Sequence, residues 1–237
     1  MRLSSPIYKM KRQAKLLARH NDIKLHEALN QIAKKEGFRD WSHLAYNYSK
    51  ATPAKEIISR IRSGDMMIIG ARPGHGKTLL ALELIALAKK INRTGYVFTL
   101  DYNEKDIWES FDKLGIDPAG LEGSVVIDTS DNICADHIIK CLSSAPDNAL
   151  VVIDYLQLLD QRRSNPPLNE QMQVLKSFAG EQGSVFVMIS QIDRTFDLSS
   201  DNLPSIDDVR LLNPVDLSLF DKHCFLHDGE IQMEVAA

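Results

Sequence analysis

The chain has 237 residues, of which 44% are hydrophobic, which is enough to bury the core of one sizeable domain with a small appendage. Its apolar runs are too short to span a membrane or to form a secretory signal, so we expect a cytoplasmic protein without a membrane partner. The formal net charge of −4 hides an asymmetry, because residues 1–50 carry eleven Lys or Arg against four Asp or Glu. Cys134, Cys141 and Cys224 lie far apart without metal-knuckle spacing, which predicts ordinary reduced thiols.

The first fifty residues predict short amphipathic helices. Apolar residues recur at helical spacing in IYKMKRQAKLLARH and in KLHEALNQIAKKEGF, where Gly37 fits a helix stop, and Asp40 is placed to cap a short third helix. These features are compatible with a helix-turn-helix DNA-binding motif, but a plain three-helix bundle needs the same features, and we favour the bundle. The positive charge suits either a nucleic-acid arm or an appendage that docks on the acidic remainder of the chain or on a neighbouring subunit.

From residue 56 the pattern changes to alternating strands and helices. Short apolar runs rich in Val, Ile or Phe predict strands covered on both faces, at residues 66–70, 96–100, 124–128, 149–154 and 184–190. Helical runs between them predict an α/β fold with a mainly parallel sheet between helices, whose ligands bind at the carboxyl ends of the strands. The final stretch HCFLHDGEIQMEV predicts a hairpin around Asp228 and Gly229.

These patterns divide the chain into three parts. Residues 1–50 form a basic helical segment, residues 51–55 a linker, and residues 56–237 an α/β domain. Pro53 marks the linker, since proline commonly lies between elements.

The stretch IGARPGHGKT nearly matches the phosphate-binding loop pattern of Gly, four free positions and Gly-Lys-Thr. The first glycine should stand at position 71, where the chain has alanine, and Gly70 comes one place early. A small residue is sufficient at position 71. The predicted strand before the loop and the predicted helix after it are the context that the motif requires. A Gly-rich turn that binds no ligand would have a similar sequence. We predict that backbone N–H groups of this loop cradle phosphates. The predicted cofactor-binding residues are Ala71, Arg72, Pro73, Gly74, His75, Gly76, Lys77 and Thr78.

Polar residues at strand ends complete a predicted site for ATP and Mg²⁺. Lys77 is expected to neutralise phosphate oxygens, and the Thr78 hydroxyl is expected to ligate Mg²⁺. Asp154 ends the apolar strand ALVVID, where a carboxylate would hold Mg²⁺ across from Thr78. Gln191 ends SVFVMISQ, and its amide can bond a phosphate oxygen and the attacking water; a strand-terminal amide that faces solvent has the same pattern.

These motifs resemble those of the DnaB-like replicative DNA helicases, which have a RecA-type ATPase core. The resemblance lies in SGDMMIIGARPGHGKT, VVIDYLQLL and SQIDR, followed at matching spacing by LPSIDDVR, and extends over residues 56–220. In that family the loop runs Ala-Arg-Pro, as it does here. The resemblance implies a RecA-like P-loop NTPase fold and an enzyme that couples ATP hydrolysis to movement on single-stranded DNA. It also implies other replication proteins as partners and a homo-oligomer, such as a hexameric ring.

The resemblance also implies roles for individual residues. Lys77 and Gln191 are implied to be catalytic, with Gln191 sensing the γ-phosphate. Asp101 stands where the family has a glutamate that deprotonates the attacking water, and a simple strand terminator would look the same. The stretch QRRS looks like the family's loop toward the central channel, so Arg162 and Arg163 are implied to contact phosphates of single-stranded DNA.

Two departures from the family bear on the choice of function. The aspartate at position 101 is shorter than glutamate by one methylene, about 1.5 Å, which favours slow hydrolysis. The family's Lys-x-Arg-Asn-Gly stretch, whose arginine reaches the neighbouring subunit's nucleotide, has no counterpart in these residues. Two functions therefore stay open: an ATP-dependent helicase or translocase, and an ATP-binding accessory or regulatory protein of replication with weak or no hydrolysis. A small-molecule kinase is disfavoured, because DYLQLL and SQIDR match helicases better.

Overall fold

The computed structural model describes residues 7–50, 53–143, 148–198, 203–211, 213–227 and 230–235. The helices are α1 (Ile7–His20), α2 (Leu25–Lys35), α3 (Trp41–Lys50), α4 (Pro53–Arg60), α5 (Lys77–Ala88), α6 (Glu104–Lys113), α7 (Ala135–Leu142) and α8 (Leu168–Gln182). The strands are β1 (Met66–Ala71), β2 (Gly95–Thr99), β3 (Val125–Asp128), β4 (Leu150–Asp154), β5 (Val185–Gln191), β6 (Lys222–His227) and β7 (Glu230–Val235). Across these ranges no helix is both long and apolar enough to cross a membrane.

The strands form one sheet in the order β3-β2-β4-β5-β1-β6-β7. Strands β1 to β6 run parallel, and β7 runs antiparallel to β6. The five predicted strands are present to within one residue at each end. The predicted burial on both faces is wrong for β3, because it is the edge strand of the sheet and none of its residues is fully buried; Val126 is 45% exposed. The predicted pairing of the two final strands is also confirmed, whereas its turn residues Asp228 and Gly229 lie outside the described residues. Because the main strands are parallel, their carboxyl ends meet at one edge of the sheet.

Helices cover the sheet on both faces. In β1, Met66 and Ile68 pack toward α7 and α8, while Met67 and Ile69 pack toward α4, α5 and α6. All six residues of β1 are buried. A strand with two buried faces requires apolar side chains at consecutive positions, and this explains the continuous apolar runs in the sequence.

Helices α1 to α3 pack around a small core of their own. Its buried members are Met10, Ala14, Ala28, Ile32, Ala33 and Leu44. The Asp40 carboxylate accepts the N–H of His43 at 2.7 Å and caps α3, as predicted. Leu25, which belongs to the predicted apolar face, is the first residue of α2 and is 42% exposed. The packing meets the requirements of the three-helix bundle that the sequence favours.

The predicted linker at residues 51–55 is wrong at its C-terminal end. Pro53, Ala54 and Lys55 form the first turn of α4, and Ala54 is fully buried. Proline indicates the end of an element because it has no N–H to donate to a helix or sheet. In the first turn of a helix the backbone N–H groups have no helical partner, so a proline there loses no hydrogen bond and is well tolerated. Residues 51 and 52 lie outside the described residues, and the division of the chain into segment, linker and domain stays a prediction.

An ion pair is buried beside the start of β1. The ammonium of Lys222 on β6 contacts the carboxylate of Asp65, and the two side chains are only 5% and 11% exposed. The same carboxylate accepts the N–H of Arg62 at 2.6 Å. Since both charges are shielded from water, removal of either one leaves the other buried and uncompensated.

We therefore expect Lys222→Met to lower the free energy of unfolding by about 3–5 kcal/mol, measured by urea denaturation. The matched control is Lys176→Met, because Lys176 pairs with Asp221 while the two side chains are 29% and 37% exposed. Water screens this second pair, so its loss should lower the free energy of unfolding by about 1 kcal/mol or less. Equal losses in the two variants would contradict the prediction.

Candidate nucleotide-binding site

The predicted phosphate loop joins the carboxyl end of β1 to the amino end of α5. Gly74 and Gly76 have positive φ angles of 82° and 88°. A Cβ added at either position would meet no atom within 4 Å, so backbone conformation rather than space demands glycine there. The first N–H groups of a helix have no helical partners and lie at the positive end of its dipole, so this turn is a favourable site for an anion.

The departure from the loop pattern at positions 70 and 71 has a packing explanation. Ala71 is the last residue of β1, is fully buried and pairs with Gln191, so the strand accommodates its side chain. A Cβ at Gly70 would lie 2.8 Å from the ring of Phe225 and 2.9 Å from Ile192. Glycine is therefore required at position 70 by packing against β6, and alanine fits at position 71.

Thr78 and Asp154 are in direct contact. The Thr78 hydroxyl donates a hydrogen bond of 2.9 Å to the Asp154 carboxylate, since β1 and β4 end at the same edge with only β5 between them. Burial raises the pKa of Asp154 to about 6; the Thr78 hydrogen bond and the charge of Lys77 oppose this shift, and the charge of Asp101 adds to it. Burial also lowers the pKa of Lys77, against the attraction of both carboxylates. A hydroxyl and a carboxylate oxygen are the hard ligands that Mg²⁺ prefers, and a cation would stabilise ionised Asp154, so these residues fit Mg²⁺.

Asp101 follows β2, the strand next to β4. The register pairs Thr99 with Asp154, and the Asp101 N–H donates to the Thr99 hydroxyl at 3.2 Å. The Asp101 side chain is exposed, yet its charge acts on the pKa of Lys77 and of Asp154. The structure therefore brings Asp101 to the mouth of the candidate site, near Lys77 and Asp154. Its role as the base stays a prediction.

Tyr102 also lies beside the candidate site, although the sequence motifs do not indicate it. Burial raises the pKa of its phenol and the charge of Asp154 adds to the shift, while a hydrogen bond with Thr78 opposes it. The phenol therefore lies beside the Thr78–Asp154 pair. The only signal in the sequence is its position directly after the strand-end residue Asp101.

Gln191 ends β5, between the ends of β1 and β4. The register pairs it with Ala71, next to the loop. Its carbonyl accepts the N–H of Arg210 at 2.8 Å, and the Arg72 guanidinium donates to the carbonyl of Ile192 at 3.1 Å. These bonds hold the backbone of Gln191 at the site edge, and its side chain is partly exposed. The structure thus brings Gln191 to the loop, as the sequence predicts.

Ring contacts hold the loop against β6. The ring of His75 stacks on that of His227 with centroids 5.1 Å apart, and His227 lies edge-on to Phe196 at 5.1 Å. A contact of His75 with nucleotide stays a prediction. No short motif signals these rings, because they come from separate parts of the chain.

Arg162 and Arg163 lie apart from the loop, in the turn between β4 and α8. Both side chains are exposed. The turn is held by hydrogen bonds from Asn165 to the Arg162 carbonyl at 3.0 Å and to the Leu159 carbonyl at 3.1 Å. Their contact with DNA stays a prediction.

The sheet order and the strand–loop–helix unit define a RecA-like P-loop NTPase fold. A solved structure described as an ATPase domain matches with a TM-score of 0.60 at 19% identity, over 78% of this chain and 80% of that chain. A DnaB-like replicative helicase, described with its interactions with primase, matches with a TM-score of 0.60 at 18% identity, over 93% of this chain and 66% of that chain. Structural similarity at sequence identities of 19% and 18% shows that these proteins share a fold.

In sequence, the chain is similar to replicative DNA helicases. It is 26% identical to DnaB of Mycoplasma genitalium in an alignment of 191 residues, and the match covers 65% of this chain and 41% of that protein. It is also 26% identical to DnaB of Geobacillus stearothermophilus and to the replicative helicase DnaC of Bacillus subtilis, each in an alignment of 192 residues, and each match covers 67% of this chain and 42% of the relative. No protein-family model matches the chain. The predicted resemblance to DnaB-like replicative helicases is confirmed, and the chain spans about two fifths of the length of these relatives.

Proposed function

We propose that this chain is an ATPase of the DnaB-like helicase type, which couples ATP hydrolysis to movement on single-stranded DNA. The observation that carries the proposal is the 2.9 Å hydrogen bond between Thr78 and Asp154 beside the loop, because this pairing of hydroxyl and carboxylate is what a Mg²⁺–nucleotide complex needs. The names of the curated relatives, all replicative DNA helicases, support the type of reaction.

In this proposal each site residue has a separate task. Lys77 and the loop N–H groups hold and neutralise the phosphates. Thr78 and Asp154 would hold Mg²⁺, which would neutralise negative charge on the phosphates. Asp101 accepts the proton of the attacking water, and the amide of Gln191 orients that water and senses the γ-phosphate.

The partners belong to the same proposal. We place single-stranded DNA against the exposed pair Arg162 and Arg163, because arginines neutralise backbone phosphates without regard to base sequence. The DnaB-like helicase of similar fold is described as interacting with primase, and a replication protein of this kind is the partner that we propose here. The active form in this proposal is a homo-oligomeric ring, with the basic segment at residues 1–50 docked on nucleic acid or on a neighbouring subunit.

A second function is favoured by one specific observation. Asp101 reaches the mouth of the site from β2 with a side chain one methylene shorter than the glutamate expected there. A base that falls short of the attacking water leaves ATP binding intact and slows hydrolysis strongly. The chain would then act as an ATP-binding accessory or regulatory protein of replication.

The test is steady-state ATP hydrolysis with and without single-stranded DNA, together with the salt dependence of DNA binding. We expect DNA to stimulate hydrolysis, and we expect the double variant Arg162→Ala/Arg163→Ala to lose most of this stimulation. Its slope of log affinity against log salt should shrink by about 1.4, because about 0.7 of a counterion is released for each neutralised phosphate of a single strand. Fluorescence anisotropy of a labelled oligonucleotide measures that slope.

The matched control is Lys105→Ala/Lys113→Ala, which removes two exposed positive charges from α6. It should leave both the stimulation and the salt slope unchanged. Hydrolysis that proceeds at the same rate with and without DNA would contradict the motor function and favour the accessory function.

A further inference from the structure

A second cluster of metal-ligand side chains lies at the edge of the sheet. It consists of Asp128, the last residue of β3, and of His137 and Cys141 on α7; we call it the β3–α7 cluster. One ligand atom from each of these residues lies within 4.8 Å of the other two. Strand β3 is the outermost strand of the sheet, and β2 separates it from β4, so this cluster is distinct from the nucleotide site.

Local structure explains why the three side chains meet. His137 and Cys141 are four residues apart on a helix and therefore lie on the same face. The N–H of Ser130 donates to one oxygen of Asp128 at 2.8 Å, while the other oxygen lies 2.7 Å from Nε2 of His137. The imidazole also packs edge-on against Phe98 with centroids 6.4 Å apart. The ligand atoms are thus held in place before any ion arrives.

The separations suit tetrahedral zinc. With bonds of about 2.0–2.2 Å to oxygen or nitrogen and about 2.3 Å to sulfur, a tetrahedral ion holds its sulfur and nitrogen or oxygen ligands about 3.6 Å apart. The Cys141 sulfur lies 3.5 Å from Nε2 of His137 and 3.7 Å from the carboxylate of Asp128. The remaining pair, Asp128 and His137, is hydrogen-bonded at 2.7 Å and must widen to about 3.3 Å, which small side-chain rotations supply.

We propose that the β3–α7 cluster binds a zinc ion through the carboxylate of Asp128, Nε2 of His137 and the sulfur of Cys141. On binding, the S–H bond of Cys141 is replaced by a sulfur–zinc bond and the proton passes to solvent. Water would complete the fourth position of a tetrahedral ion. The Ser130 hydroxyl, 3.4 Å from Nε2 of His137, is a polar group near this cluster that could bond the water.

The chemistry of the cluster separates it from the magnesium site. A thiolate and an imidazole are softer ligands than the hydroxyl and carboxylate oxygens at Thr78 and Asp154, so the two sites select different ions. The side chains of His137 and Asp128 are 27% and 19% exposed, which leaves a path for an ion to enter without opening the core. A bound ion would link the edge strand to α7.

The spacing of the three cysteines does not reveal this site. Cysteine spacing predicts ordinary thiols, yet the fold places Cys141 against a histidine of the same helix and a strand-end aspartate thirteen residues earlier. The usable signal is the His-x-x-x-Cys pair on a predicted helix that follows a strand ending in aspartate.

The first experiment uses the full chain incubated with zinc chloride and then desalted. We expect about one zinc ion per chain by elemental analysis, and a melting temperature that rises with zinc and falls again with EDTA. Cobalt chloride serves as a spectroscopic probe, and it should produce the absorption bands of tetrahedral Co²⁺ together with a thiolate-to-cobalt charge-transfer band.

The second experiment assigns the ligands. Cys141→Ser should weaken zinc binding by at least about 100-fold and abolish the charge-transfer band, and His137→Gln should weaken zinc binding to a similar degree. The matched control is Cys134→Ser, which changes the residue before the first turn of α7. It should leave the zinc affinity and the charge-transfer band unchanged. Circular dichroism confirms that each variant is folded.

Two results would overturn the proposal. One is a wild-type chain that takes up no stoichiometric zinc or gives no charge-transfer band with cobalt. The other is a Cys141→Ser variant that keeps wild-type zinc affinity. Either result would mean that the β3–α7 cluster binds no zinc and that its Asp128–His137 hydrogen bond only holds α7 against the sheet. None of these measurements requires nucleotide, so they stand apart from the proposed ATPase function.

Discussion

Replacing Lys77 with alanine is expected to weaken ATP–Mg²⁺ binding by about 10- to 100-fold and to reduce hydrolysis by a further factor of about 10²–10³. Lys77 is the first residue of α5, its side chain is half-buried, and the charges of both Asp154 and Asp101 act on its pKa. The variant removes a positive charge that attracts both carboxylates and the incoming polyphosphate, so the repulsion among these negative groups is less compensated. Isothermal titration with a non-hydrolysable ATP analogue measures the affinity, and phosphate release measures the turnover.

The fold should survive this substitution, because alanine has the highest helix propensity and the position lies in the first turn of α5. Lys113→Ala is the matched control, since its side chain is 69% exposed and it lies at the opposite end of α6 from Asp101. It should change neither nucleotide affinity nor turnover. Unchanged nucleotide affinity in folded Lys77→Ala would show that the loop is not the nucleotide site.

Lengthening Asp101 to glutamate is expected to raise the rate of ATP hydrolysis by up to about 100-fold while the KM for ATP changes little. The side chain already lies at the mouth of the site, exposed and close enough to act on the pKa of Lys77. One added methylene extends the carboxylate by about 1.5 Å toward the attacking water, and errors of about 1 Å in the position of a base cost about 10²-fold in rate. Steady-state kinetics with saturating Mg²⁺ separate kcat from KM.

Two further variants make this prediction specific. Asp101→Asn keeps the shape but removes the base, so it should lower the remaining hydrolysis and leave ATP affinity unchanged. Asp112→Glu adds the same methylene on the exposed side of α6 and should have no effect. If Asp101→Glu hydrolyses ATP no faster than the unaltered chain, the shorter carboxylate does not limit the rate.

Much of the fold can be predicted from the sequence, because burial on two faces forces a strand to be apolar at every position. The strands β1, β2, β4 and β5 show this directly, since every residue of β1, β2 and β4 is buried, as is every residue of β5 except Gln191. Helix starts are harder to predict. Pro53 predicts a linker, yet it is the first residue of α4. A residue without an N–H is compatible both with a linker and with the first turn of a helix, so the sequence alone does not distinguish them.

The candidate site divides in the same way. Thr78 and Asp154 can be predicted to meet, because a loop after one parallel strand and a residue at the end of another share an edge of the sheet. Tyr102 and the stacked rings of His75 and His227 cannot, since they depend on side-chain directions that no short motif encodes. The glycine at position 70 is a further case, because the residue that requires it, Phe225, is far away in the chain.

The sequence by itself determined the order of strands and helices, the phosphate loop and the polar residues at the strand ends, because these follow from local periodicity and from residues close together in the chain. Only the tertiary structure decided which distant side chains meet. It placed Asp101 within electrostatic reach of Lys77 and Asp154, and it gathered Asp128, His137 and Cys141 at the sheet edge. The reason is physical: strand order and helix packing set these distances, and both arise from burial across the whole domain rather than from any local pattern.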